Sequence, residues 1–282
     1  MTRISVVIPA HDEARIIGPM LERIIAGDPD GAIELVVVAN GCTDDTARVA
    51  ASVDPRVTVV EVTEPSKIAA LNAGDRHART LPRAYVDADV SIDADAILAL
   101  ADVLAGGDAL AAAPRFRVDT SGSGWLVRQH YRIWELSAYR TTGHIGSGVY
   151  AVSAAGRARW AEFPEVIADD RFVQQRFALD ERRTLPDHSF SVRAPRTFAA
   201  QLRRTIRIDA GNRQLPATMQ VVAVEPASSR FGQLLRRVAA RPSLWPALAV
   251  YAYGYAAPRV ASRWQLGLGR TIAWNRDETV RA

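Results

Sequence analysis

Residues 85–96 read YVDADVSIDADA, so the triplet Asp-Ala-Asp occurs twice, six residues apart. Carboxylates at alternate positions of an extended chain point to the same side. Mg2+ and Mn2+ are commonly held by one or two carboxylates together with the phosphates of a bound substrate. Asp87 and Asp89 fall where the run AYVDAD would leave a sheet, and a strand-terminal pair of this kind is costly unless a cation or donor faces it. Asp93 and Asp95 have a local explanation, because the helical pattern AILALADVL follows them. Asp93 can cap free amides, and Asp95 can face the positive end of the helix dipole. The first copy is thus the metal candidate and implies a phosphorylated ligand; the second reads as structural. His188, in a polar stretch, is a further ligand candidate, since neutral imidazole suits transition metals; an ordinary surface histidine is the alternative. Lys67 is the only lysine in the chain, and a compact ammonium does different work from a guanidinium.

These groups need a scaffold. Short β-branched runs alternate with helix-period segments: ISVVIPA then 13–26, IELVVVA then 44–52, VTVVEV then 67–78, RAYVDAD then 94–104, and finally ALAAAP. That rhythm predicts an α/β fold with a Rossmann-like, mostly parallel central sheet flanked by helices. Ile16, Ile17, Met20, Leu21, Ile24 and Ile25 form one apolar stripe. Pro19 inside it predicts a kink or a helix that starts there. In such sheets ligands gather beyond the carboxyl ends of the strands. Further along, WLVRQHYRIWELSAYR reads as a helix before the glycine-rich GHIGSGVYAVS, and two more helices are expected over 170–179 and 203–210.

Composition narrows the classes. The 282 residues are 48% hydrophobic and 23% charged, which is globular and ample for a core. The one cysteine, Cys42, rules out an internal disulfide and any zinc site of paired thiolates, which reads as an intracellular product. The apolar run 4–10 is too short for a signal-peptide core. No Gly-x-Gly-x-x-Gly follows an expected strand, which argues against a dinucleotide-dependent dehydrogenase. The net charge is +4, but basic residues do not cluster with aromatics in the main body, so no nucleic-acid partner is expected. From residue 226 the texture changes. LWPALAVYAYGYAA, 244–257, is uncharged and aromatic and lies between Arg236, Arg237 and Arg241 on one side and Arg259 and Arg263 on the other. It is shorter than the ~20 residues that span a bilayer. A helix at an anionic membrane surface, packing on the main domain, and packing on a second copy in a homodimer all suit it.

Several motifs, in order, resemble those of family 2 glycosyltransferases of the GT-A fold, over roughly residues 3 to 215. ISVVIPAHDEA resembles the opening strand and turn, VVVANGCTDDT the second strand and loop, KIAALNAG the basic segment, and YVDAD the Asp-x-Asp motif. GSGVYAVS is similar to the acceptor-side glycine loop, DDRFVQQRF to the Glu-Asp-x-x-Leu-x-x-Arg-Leu helix, and QLRRTIRIDAGN to the Gln-x-x-Arg-Trp region. The resemblance implies a GT-A domain over 1–225, with a nucleotide-sugar-binding half at 1–115 and an acceptor-binding half at 116–225, followed by a helical basic and aromatic tail at 226–282. It implies a nucleotide-sugar donor, a hydroxyl acceptor of unknown identity and Mg2+ or Mn2+ on Asp89 and Asp87. Pro9, His11, Glu13, Asn40, Asp44, Lys67, Asp87 and Arg204 would bind the donor. Gly146, Ser147 and Gly148 would face the acceptor. Asp170 would be the general base of an inverting displacement, with Asp169 orienting it or the acceptor. A cytoplasmic enzyme, at the inner face of the plasma membrane if the tail binds lipid, is the expectation. The chain departs from the family pattern in having Ala39 and Asn40 where two aspartates are common, and in lacking the tryptophan after Arg204. A nucleotidyltransferase, though IPAHDEAR lacks the glycine-rich basic loop usual there, and a non-catalytic nucleotide-sugar-binding module remain the alternatives.

Overall fold

A computed structural model describes residues 3–137, 143–166, 168–214 and 227–267. The strands are β1 (Ile4–Ala10), β2 (Ile33–Asn40), β3 (Val57–Val62), β4 (Arg83–Val86), β5 (Val90–Ser91), β6 (Ala111–Asp119), β7 (Val149–Val152) and β8 (Arg182–Arg193). The helices are α1 (Ala14–Ala26), α2 (Thr46–Val53), α3 (Lys67–His77), α4 (Ala94–Ala105), α5 (Trp125–Trp134), α6 (Ala154–Arg157), α7 (Asp169–Gln174), α8 (Phe198–Gln214), α9 (Ala227–Ala239) and α10 (Trp245–Gly267). Two compact units result: Met1–Arg117 with Gly143–Glu165 and Asp169–Val192, and Val118–Thr142 with Val166–Ala168 and Arg193–Ala282. The boundary expected at 225/226 falls outside the described residues.

The first unit is mixed α/β. Its sheet has the order β3-β2-β1-β4-β7-β6-β8-β5. The strands expected to run parallel do so: Ile8 pairs with Val37 and Val7 with Tyr85, and β2 runs parallel to β3. Beyond β4 the mostly parallel sheet takes in antiparallel strands. β7 inserts antiparallel, with Tyr85 opposite Tyr150, and β6 pairs antiparallel to β7. Strand β1 is buried along its whole length, as its unbroken apolar run demands of a strand covered on both faces. Gly74 brings α3 close to this strand: a Cβ there would lie 2.3 Å from Val7 Cγ1.

Some boundaries differ from the sequence expectation. α1 begins at Ala14 and passes through Pro19, which therefore does not start it. α7 stops at Gln174 rather than near 179, because the Arg176 amide bonds the Val173 carbonyl and tightens the last turn. α8 begins earlier than 203, because Thr197 Oγ1 accepts from the Ala200 amide at 3.2 Å and caps it. The end of the helix expected from WLVRQHYRIWELSAYR lies outside the described residues.

In the second unit α10 packs on α5 and α8. Ile133, Leu234, Val238, Leu244, Ala247 and Tyr251 form one core, and Val127, Tyr131 and Ala194 another. The described part of the tail, 227–267, is thus helical as expected, with one face of α10 built into this unit. No helix among the described residues is long and apolar enough to cross a membrane.

Candidate active site

At the carboxyl ends of β1 and β2 the two following loops are tied to each other. Asn40 Nδ2 donates to the Ala10 carbonyl at 2.8 Å, and His11 Nδ1 lies 2.5 Å from the Asn40 carbonyl. Asp44 accepts from the Ala14 amide at 3.1 Å and from the Thr46 amide at 3.0 Å, so it serves the starts of α1 and α2 at once. Glu13 is buried, and its amide donates to Thr46 Oγ1 at 2.7 Å. Asp12 has a left-handed φ of 51° and accepts from the Thr43 amide at 2.7 Å. Burial opposes its charge, yet that amide and His11 outweigh it and hold the carboxyl below its ordinary value. Pro9 is buried within β1, paired with Val38. These residues form the floor and rim at the strand ends, and for Asn40 and Asp44 the visible work is holding loops together.

β4 ends at Val86, and the chain then turns. The Val90 amide donates to the Asp87 carbonyl at 3.1 Å, so Asp87 and Asp89 do not continue an extended strand as the alternation implied. The turn leaves Asp87 half-buried and Asp89 exposed. The second acidic pair also departs from expectation in one respect. Asp93 sits at the start of α4 but makes no capping bond through its side chain; its partner is Arg23 Nε at 3.9 Å. Asp95 lies in the first turn as expected.

Lys67, the first residue of α3, joins the two distant acid sites. Its Nζ is 2.7 Å from Asp87 Oδ1 and 2.9 Å from Asp169 Oδ1. Asp169 is buried, and the Tyr150 hydroxyl donates to its other oxygen at 3.2 Å. Burial works against the Lys67 ammonium, but the carboxylates of Asp169 and Asp87 outweigh it and raise its pKa. Asp87 is pushed up to about 7, first by burial and then by Asp169 and Asp89, with Lys67 pulling the other way. A site that disfavours the ionised form of an acid in this way is one that an added cation would relieve.

The loop at 146–148 is wedged between the same acids. The Ser147 amide donates to Asp170 Oδ2 at 2.9 Å, while the Gly148 carbonyl accepts from the Asp87 amide at 2.8 Å. Gly146 has φ of 113° and Gly148 of 101°, backbone that side chains rarely adopt. Added Cβ atoms would lie 2.9 Å from Asp170 Cβ and 2.9 Å from Val90 Cγ2, respectively. The glycines are therefore required by turn and contact together. Ser147 Oγ is 3.0 Å from His144 Nε2, and burial lowers the His144 pKa to about 4, keeping it neutral.

Whether these residues suit a divalent cation follows from the donor set. Asp87 and Asp89 offer hard carboxylate oxygens, the chemistry Mg2+ and Mn2+ select. Among the described residues, no third His, Cys, Asp or Glu gathers with them; the group that does gather is His11, Asp12 and Cys42. A two-carboxylate site completed by substrate phosphates fits that arrangement. His188 is not part of it. Val90, next to Asp89, pairs with Val192, so four residues of β8, ~13 Å at strand rise, separate His188 from that point. Arg204 lies on α8 in the second unit.

Sequence reasoning missed Tyr150 and the ion cluster behind the site. Asp75 binds Arg83 Nη1 at 2.5 Å, Arg157 Nη2 at 2.7 Å and the Tyr85 hydroxyl at 2.7 Å. Tyr85 stacks on Tyr150 with centroids 4.9 Å apart. The β4–β7 pairing sets Tyr85 against Tyr150, and the packing of α3 and α6 brings Asp75 and Arg157 together; Tyr85 beside the Asp-x-Asp was a visible signal.

The family model for glycosyl transferase family 2 matches residues 5–162, more than half of the chain. The chain belongs to this family. The family 2 domain is also similar to 4,4'-diaponeurosporenoate glycosyltransferase of Staphylococcus aureus, 37% identical over 94 residues, which is 31% of this chain and 24% of that protein. The match thus spans about a quarter of the relative's length. Among solved structures, the family 2 chain resembles a mannosyltransferase from Pyrobaculum calidifontis in complex with GDP-Man and Mn2+ (TM-score 0.60, 24% identity, 95% of this chain and 79% of that one). It also resembles glucosyl-3-phosphoglycerate synthase from Mycobacterium tuberculosis in complex with Mg2+ and UDP (TM-score 0.55, 20% identity, 79% and 80%). At these identities the likeness is one of fold, and that fold is GT-A.

Proposed function

We propose that this protein transfers a glycosyl group from a nucleoside-diphosphate sugar to a hydroxyl acceptor, with inversion at the anomeric carbon and with Mg2+ or Mn2+ at Asp89 and Asp87. The observation that carries the reading is the Lys67 ammonium between Asp87 and Asp169, with the Gly146–Gly148 loop bonded to both Asp87 and Asp170. One cleft then holds a cation site and a proton acceptor that sequence separates widely. Family membership and the nucleotide and metal named for the solved neighbours support the donor class.

The bound cation would supply neutralisation of the charge that builds on the departing diphosphate. Lys67 adds a fixed positive charge beside it, preorganised by two carboxylates. Asp170 takes the proton of the attacking hydroxyl. Its Oδ1 accepts from the Arg171 amide at 2.7 Å and its Oδ2 from Ser147, so its plane is set before substrate arrives. Asp169, fixed by Lys67 and Tyr150, keeps the start of α7 in register with that base. The enzyme works on the cytoplasmic side, and nucleic acid is not a partner.

A thermal-shift screen of nucleoside diphosphates with and without Mn2+ tests this. A diphosphate that raises the melting temperature only with Mn2+, and not in the Asp89→Ala variant, is expected. Equal shifts without metal, or in Asp89→Ala, would remove the cation from the scheme.

A further inference from the structure

The second unit carries a surface on which none of the site residues described above lies. α10 buries Ala247, Tyr251, Gly254, Pro258 and Ser262 on one side. On the other it exposes Trp245 (56%), Tyr253 (59%), Val260 (67%) and Trp264 (66%). At 3.6 residues per turn those four fall within roughly 100° of arc. Ala249, Ala252 and Ala256, also exposed, fill the space between them. Two tryptophans, a tyrosine and a valine on one face would be an aggregation liability if water were the only neighbour.

The charge of this part of the chain selects the occupant of the face. Residues 227–267 contain six arginines and no aspartate, glutamate or lysine. Arg236, Arg237 and Arg241, just before the helix, are exposed. A protein partner would need a matching acidic rim around an apolar centre, whereas an anionic bilayer offers both in one plane. Tryptophan and tyrosine are the side chains that settle at the boundary between headgroups and acyl chains. No helix among the described residues is long and apolar enough to cross a membrane, and a helix with one exposed apolar, aromatic face suits binding in the plane of the interface.

We propose that the outer face of α10 is a membrane-docking surface for anionic phospholipid, with Trp245, Tyr253, Val260 and Trp264 entering the interfacial layer and Arg236, Arg237 and Arg241 pairing with headgroup phosphates. The inference is independent of the catalytic reading, because none of these residues belongs to the site described above. It gives the enzyme a fixed orientation at a lipid surface.

The test is flotation of the full-length protein with vesicles of phosphatidylcholine alone and of phosphatidylcholine mixed with phosphatidylglycerol. Flotation with the anionic vesicles only, weakened by salt, is expected. Replacing Trp245, Tyr253, Val260 and Trp264 together by serine should abolish it while the protein stays folded by circular dichroism, because all four are more than half exposed; the Tyr253 ring contact with Phe198 is lost, so the melting temperature falls somewhat. Arg236→Gln, Arg237→Gln and Arg241→Gln should each weaken partitioning, by roughly fivefold per charge. If wild-type protein fails to float, or the serine variant floats as well as wild type, the proposal is wrong. It is equally wrong if wild type forms a vesicle-independent dimer that the serine variant loses, since a second copy would then own the face.

Discussion

Gly146→Ala probes the convergence of the loop and the candidate base directly. The added Cβ would lie 2.9 Å from Asp170 Cβ and 3.0 Å from its Oδ2, against ordinary carbon contacts of about 3.5–4.0 Å. Something must move by more than half an ångström, and what lies there is Asp170, the proposed base, or the turn that bonds it. The φ of 113° adds about 1–3 kcal/mol of backbone strain. A total near 3 kcal/mol lowers the melting temperature by on the order of 10 °C. Displacement of Asp170 should also reduce transfer by about a hundredfold. A double-mutant cycle separates strain from clash: in an Asp170→Gly background the clashing Cβ is gone, so Gly146→Ala should cost about 1–2 kcal/mol less. Costs that simply add within about 0.5 kcal/mol would refute the contact, and undiminished transfer by Gly146→Ala would refute the role of the loop in holding the base.

Asp170→Asn keeps an oxygen to accept from Ser147 but cannot take a proton; kcat should fall by about 10²–10⁴-fold with folding intact, and a smaller loss in a steady-state assay would assign the base elsewhere. Chelation with EDTA should silence transfer in wild type, and Asp89→Ala should be inactive at any Mn2+ concentration; activity in either condition contradicts the cation site. Lys67→Met leaves two carboxylates facing each other and should cost about 2 kcal/mol in urea unfolding, less than a fully buried pair because Lys67 and Asp87 keep some solvent contact. His130 supplies the pH prediction. Burial lowers its pKa to about 4, and its Nδ1 has no hydrogen-bond partner among the described residues. A depressed folded-state pKa gives stability that is complete above the ordinary histidine value of about 6.5 and lost as pH falls toward 4. His130→Phe should therefore flatten the stability curve across that window, by at most about 3 kcal/mol; an unchanged acid limb would show that His130 titrates normally.

The sequence by itself determined the alternation of strands and helices through β6, because apolar period and β-branched runs are local properties that burial on both sheet faces enforces. It also distinguished the two Asp-Ala-Asp copies by local context, since Asp93 and Asp95 precede a helix and Asp87 and Asp89 do not, but the capping bond expected of Asp93 does not form. What it could not supply was anything set by pairing between distant segments. The antiparallel insertion of β7 beside β4 puts Tyr150 opposite Tyr85 and lays the Gly146–Gly148 loop along Asp87. The turn after Val86, rather than strand alternation, aims Asp87 at Lys67. That Lys67 bridges Asp87 and Asp169 depends on where α3 and α7 are packed, and Gly74 against Val7 fixes the first of these. Local chemistry named the carboxylates; only long-range packing decided which of them share the Lys67 ammonium.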